Sequence, residues 1–236
     1  MKLTILTLGL IAIFSSCTYQ YFKVSSNQVP KNENNDFVVE NDTLKVLYRF
    51  TGYHGPVQIT IFNKMNEPLE IDWRKSALIM NNRASSYYTP DMVLNGTINN
   101  DSLRKLYFFN TRYINANIHA DILVNEPSQF IPPSSSISKI PVALRQENLI
   151  FLPVGLKKEK LQINEYHIVK VKRAEYTVEK SPVSFRSYLT FKCGSGEGKE
   201  FSLEYKFYVS EVIQTGSGPE SFTRATEDGD IFYVSQ

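Results

Sequence analysis

Few residues in this chain stand in spacings that chemistry requires. Gly194–Lys199 reads GSGEGK and gathers glycines and a lysine as a phosphate-cradling loop does. That loop needs a glycine five positions before its last glycine, then Lys and Ser or Thr. Here Cys193 stands at the first position and Glu200 follows Lys199. Extended patterns flank it on both sides, so its glycines read as positive-φ positions of a hairpin. His54, His119 and His167 are too far apart for ligand spacing, and no metal site is expected. Neither G-x-S-x-G nor H-E-x-x-H occurs. Carboxylates are plentiful, which leaves paired-acid glycosidase chemistry open. Glu70 and Asp72, however, alternate with an apolar face and read as solvent-side strand residues. No catalytic residue and no cofactor is assigned.

The remaining candidates are aromatic or sulfur-bearing. Trp73 shares its register with Leu69 and Ile71, which predicts a core position. Cys193 shares its register with Leu189 and Phe191, which predicts a buried, inert thiol. Tyr53, Tyr87, Tyr88 and Tyr107 are the tyrosines that could stay exposed and stack on a sugar. Lys and Arg number 26 against 24 Asp and Glu, a net charge of +2. Such a balance carries no electrostatic footprint for nucleic acid.

The chain opens MKLTILTLGLIAIFSSC, with Lys2 before an apolar run over Leu3–Phe14. The run is short for a membrane-spanning helix and fits the core of a signal peptide. Ser15-Ser16-Cys17 then resembles the lipobox of bacterial lipoproteins, with Phe14 where leucine is common. The resemblance implies cleavage after residue 16 and lipidation of Cys17. Cys193 would then be the only remaining thiol, which leaves no partner for a disulfide. Residues 17–43, with the polar KNENND at Lys31–Asp36, read as a tether, and residues 44–236 as one domain. Two triplets, Asp42-Thr43-Leu44 and Asp101-Ser102-Leu103, resemble the O-glycosylation acceptor of Bacteroidetes, at Thr43 and Ser102.

The domain must be built from strands. Val57, Ile59 and Ile61 alternate with polar residues, Asn63–Pro68 forms a turn cluster, and Leu69, Ile71 and Trp73 alternate again. Period-two alternation bounded by turn residues marks half-buried antiparallel strands. Leu44–Thr51, Tyr113–Val124 and Asp230–Val234 read the same way. Phe185–Cys193 and Phe201–Val209 form a strong hairpin. Pro141 confines the strand over Ile137–Leu144 to an edge or a bulge. Lys170, Lys172 and Arg173 suit a solvated edge over Tyr166–Val178. Residues 83–111 are harder to read; a short helix capped by Asp101 is one solution. About ten strands and no long helix make the fold all-β, an antiparallel β-sandwich.

PLEIDWRKSALIMNN at Pro68–Asn82, FIPPSSSI at Phe130–Ile137 and SPVSFRSYLTF at Ser181–Phe191 resemble a set of uncharacterised Bacteroidetes lipoproteins. The resemblance implies an immunoglobulin-like sandwich held in the outer membrane and supplies no catalytic residue. Surface-exported lipoproteins of that group carry acidic residues after the cysteine. Here the first acid is Glu33, so the domain is expected to face the periplasm. The expected function is a non-catalytic binding or envelope-assembly module, with an envelope protein or glycan as partner. The alternatives are a glycan-acting enzyme and a carbohydrate-binding module.

Overall fold

A computed structural model describes residues 18–88, 92–97, 119–124, 126–144, 157–164, 167–194, 198–222 and 227–235. The strands, in order, are β1 Tyr19–Ser25, β2 Phe37–Glu40, β3 Leu44–Arg49, β4 Gly52–Tyr53, β5 Pro56–Asn63, β6 Leu69–Met80, β7 Arg83–Ser86 and β8 Met92–Thr97. They continue as β9 His119–Val124, β10 Ser128–Ile131, β11 Ser136–Ala143, β12 Lys157–Asn164, β13 His167–Glu175, β14 Ser184–Cys193, β15 Glu200–Thr215 and β16 Ile231–Ser235. A ten-stranded sheet runs β10-β6-β14-β15-β1-β16-β4, with β7 on β6 and β13 and β12 added beside β15. A four-stranded sheet runs β11-β5-β3-β2, and β8 pairs with β9 apart from both. The all-β expectation holds. The purely antiparallel one does not, because β4 joins β16 in parallel, and the described strands number sixteen rather than ten.

The core lies between the two large sheets because each strand buries alternate residues. In β5, Val57, Ile59, Ile61 and Asn63 are buried; in β3, Leu44, Val46 and Tyr48. Facing them across the core stand Phe185, Phe207 and Trp73 of the larger sheet. Phe207 meets Phe37, Tyr48 and Phe50 edge-on, with ring centres 5.1–5.2 Å apart. Each such contact adds about 0.5–1.5 kcal/mol beyond the burial itself.

The stretch from Val57 to Asn81 divides between the sheets: β5 is in one and β6 in the other. Asn63 makes that crossing. Its side chain is fully buried, and its Nδ2 donates to the carbonyls of Glu67 (2.7 Å), Ile131 (3.1 Å) and Pro132 (3.2 Å). Its Oδ1 accepts the Met65 N–H at 3.0 Å. One amide thus satisfies carbonyls that a turn between two sheets would strand inside the core.

Trp73 is fully buried, as its register requires, and its Nε1–H donates to Gln129 at 2.8 Å. Immediately after it, Arg74–Ser76 bulge out of the ladder, since Asp72 pairs with Thr190 but Ala77 with Tyr188. The Asp72 carboxylate accepts the Arg74 and Lys75 amides, and the buried Ser76 hydroxyl bonds the Asp72 carbonyl and the Thr190 N–H. Pro141 behaves as read: β11 is an edge strand, with its register broken between Lys139 and Val142.

Two further expectations fail. The segment read as a tether contains β1 and β2. β1 is paired on both edges, with β15 and β16, and buries Tyr21, Phe22 and Val24. Its short apolar alternation, YQYFKVS, was masked by the polar KNENND that follows. The lysine-bearing β13 is not a free edge at Lys172 and Arg173 either, because β12 pairs with it from His167 to Arg173 on one side and β15 from Lys172 to Glu175 on the other. The helix from Asp101 and residues 113–118 of the expected Tyr113–Val124 strand lie outside the described residues; Val124 does end a strand.

Trp73→Ala is expected to cost about 3–5 kcal/mol in denaturant unfolding. Deleting Thr18–Ser25 is expected to abolish the cooperative transition; a deletion variant that melts like the wild type would restore the tether.

Candidate functional site

β1 ends at Ser25 beside a cleft of about 550 Å³. Its rim is built from two turns, the start of β14 and the middle of β15. Asn27 and Gln28 follow β1, Asn81 and Asn82 join β6 to β7, and Ser184, Arg186, Lys206 and Tyr208 come from β14 and β15. Phe185 and Phe207, both nearly buried, lie below. Asn81 and Asn82 have φ of 51° and 59°, as a two-residue turn with the twist of the flanking strands demands. Asparagine tolerates that left-handed backbone better than most residues.

Hydrogen bonds fix the rim. The Ser26 hydroxyl donates to the Lys206 carbonyl (2.7 Å) and accepts the Gln28 and Val29 amides. Gln28 Oε1 accepts the Lys206 N–H at 2.9 Å. Arg186 donates to Glu204 at 2.6 Å, which neutralises its charge at the rim. The lining holds four carboxamides, one hydroxyl, one phenol and two cations, and no Asp, Glu, His or Cys. It can hydrogen-bond and stack, but it holds no general acid, base or nucleophile.

A second, more polar cleft of about 440 Å³ gathers Glu70, Asp72 and Glu200 with Lys75 and Lys192. Three of these groups already have structural partners: Lys75 Nζ donates to Glu200, and Asp72 caps the bulge.

The expected site residues scatter. Tyr53 is 48% exposed, stacked on His54 at 3.7 Å, and belongs to the end of the sheet where β1 starts. Tyr87 is not exposed: it is fully buried, and its hydroxyl donates to Ser187 Oγ at 2.9 Å inside the core. The sequence missed this because Ser187, its partner, is a hundred residues away. Tyr88 is half-buried against the core. Tyr107, Ser102 and Cys17 lie outside the described residues. Thr43 is half-buried in the β2–β3 turn, where Asn41 Oδ1 accepts its N–H. Among the described residues no three His, Cys, Asp or Glu side chains converge as a metal ion would need. Gly194, with φ of 78°, opens the β14–β15 connection, and Cys193 N–H donates across it to the Lys199 carbonyl. Cys193 itself is half-exposed rather than buried, because it ends its strand.

The amides of the cleft were missed. Their one signal was Asn81-Asn82 between two strand patterns, a hairpin mark whose neighbours in space come from distant β1 and β15. No protein-family model, curated protein or solved structure matches this chain.

Burial, and after it the Glu67 carboxylate, pushes the Cys193 thiol above its ordinary range, against a smaller opposing pull from Lys199. A raised pKa means less thiolate at neutral pH. Alkylation of the native protein is therefore expected to be slower than that of the unfolded chain and to accelerate as pH rises. Glu67→Gln should speed it at neutral pH; equal rates in native and unfolded protein would contradict this.

Proposed function

We propose that this chain is a lipoprotein with an immunoglobulin-like sandwich, anchored by Cys17 in the outer membrane and facing the periplasm. It serves as a non-catalytic binding module, and the cleft at the far end of β1 takes a neutral, hydroxyl-rich ligand: a glycan. The observation that carries this is the lining itself. Four carboxamides, each donor and acceptor at once, stand around the half-buried ring of Tyr208, with no acid, histidine or cysteine among them. Hydroxyls of a sugar need two-way hydrogen-bonding partners, and its C–H faces need a ring to lie on. The volume falls within the ordinary range of small-ligand sites.

Titration with soluble peptidoglycan fragments and neutral oligosaccharides, followed by amide NMR, tests this. Saturable shifts confined to the cleft are expected, and Asn27→Ala with Tyr208→Ala should weaken binding at least about tenfold. Silence with every glycan would contradict the ligand. Glycan hydrolysis abolished by Glu70→Gln would move the function to the charged cleft and make the protein an enzyme.

Anchoring is tested separately. Cys17→Ser should release the protein from the membrane fraction, and protease added to intact cells should spare the wild type. A variant that stays with the membrane contradicts the anchor, and cleavage in intact cells contradicts the periplasmic facing.

A further inference from the structure

The opposite end of β1 carries a second groove, of about 650 Å³, whose charged lining is Lys158, Lys160, Lys170, Lys172 and one acid, Glu159, with Thr18 and Gln214 beside them. Cross-strand register explains the clustering. Gln20 pairs with Gln214, Gln214 with Lys172, and Lys172 with Lys158, so the four form one row across β1, β15, β13 and β12. Lys170 pairs with Lys160 in the next row toward Thr18. The four lysines share one face because they sit at alternate positions of paired strands.

That face is unneutralised. Like charges directly opposite on a sheet repel. On the other face Arg173 gathers Glu159, Glu175 and Glu211. None of the four lysines forms an ion pair among the described residues, and all four are exposed. The one acid that lines the groove, Glu159, pairs with Arg173 at 3.7 Å, so the four lysines are left without a counter-ion of their own.

Position says where a counter-ion comes from. Thr18 lines the groove and directly follows Cys17. The row of Lys158 and Lys172 is level with Gln20, three residues past Cys17, a reach of at most about 10 Å. This is close to the screening length at physiological salt. The reverse face at the same end bears Tyr19, Tyr233 and the exposed Tyr53, with Tyr19–Tyr233 and Tyr53–Tyr233 ring centres 6.4 and 5.6 Å apart. Tyrosines of this kind settle at membrane–water boundaries.

We propose that the lysine groove binds the phosphates of anionic phospholipid headgroups in the bilayer that holds the anchor, so that the domain stands upright on β1 with the amide cleft pointing away. The upright posture rests on lipidation of Cys17; headgroup binding by the groove does not. The described fold begins at Thr18, so a Cys17→Ser chain without residues 1–16 keeps all of it.

That unlipidated protein is sedimented with phosphatidylcholine vesicles, with and without phosphatidylglycerol. Binding is expected only with phosphatidylglycerol, and Lys160→Gln with Lys170→Gln should lower it at least about tenfold, since each surface lysine contributes about fivefold. Lys45→Gln with Lys64→Gln, an equal charge change on the other sheet, should leave it unaltered. An equal loss with both pairs would reduce the effect to net charge and overturn the groove. No binding to anionic vesicles would overturn it as well. Displacement by inorganic phosphate at constant ionic strength would overturn the lipid source in favour of free phosphate. Labelled palmitate incorporated at Cys17, or not, reports on the anchor alone.

Discussion

β1 is hydrogen-bonded along both edges, and much of the molecule is arranged around that fact. Its register with β15 and β16 places Phe22 against Phe232, the rings stacked at 4.8 Å, inside the main core. A strand paired on both sides cannot be lifted out without exposing two ladders of backbone groups. The chain therefore has no slack between residue 18 and the fold. Whatever happens at Cys17 happens at the end of the sheet, and the two clefts fall at opposite ends of a strand about 20 Å long.

The second constraint is how one chain supplies two sheets. The β5–β6 connection leaves one sheet and enters the other through Asn63, a polar side chain buried because it replaces missing backbone partners. Leaving those carbonyls unpaired would cost about 1–3 kcal/mol each. The Arg74–Ser76 bulge does related work: it lets Trp73 turn to Gln129 and Pro127 while the rest of β6 stays on β14. These are polar devices inside an apolar core, and each has its bonds satisfied.

Strand alternation made much of the fold legible. Trp73, the β14–β15 hairpin and the Pro141 irregularity were all readable because each is a local pattern. Cys193 aside, the residue-level errors share one cause: they concern which segments meet. β1 looked like a tether because its partners lie about 180–220 residues away. β13 looked like an edge because β12, a lysine-rich strand, does not announce itself by apolar alternation. Tyr87 looked available because nothing nearby in sequence tells of Ser187. The clefts were hidden for the same reason, since each is assembled from segments that only the sheet order brings together.

The central claim is that the end of β1 at Thr18 lies at the membrane and the end at Asn27 points away from it. Fluorophores on Gln162→Cys and on Asn27→Cys, both exposed positions, in lipidated protein carrying Cys193→Ser, measure this against a quencher fixed to lipid headgroups. Strong quenching at position 162 and little at position 27 is the expected result. Equal quenching at the two, or none at either, would contradict it.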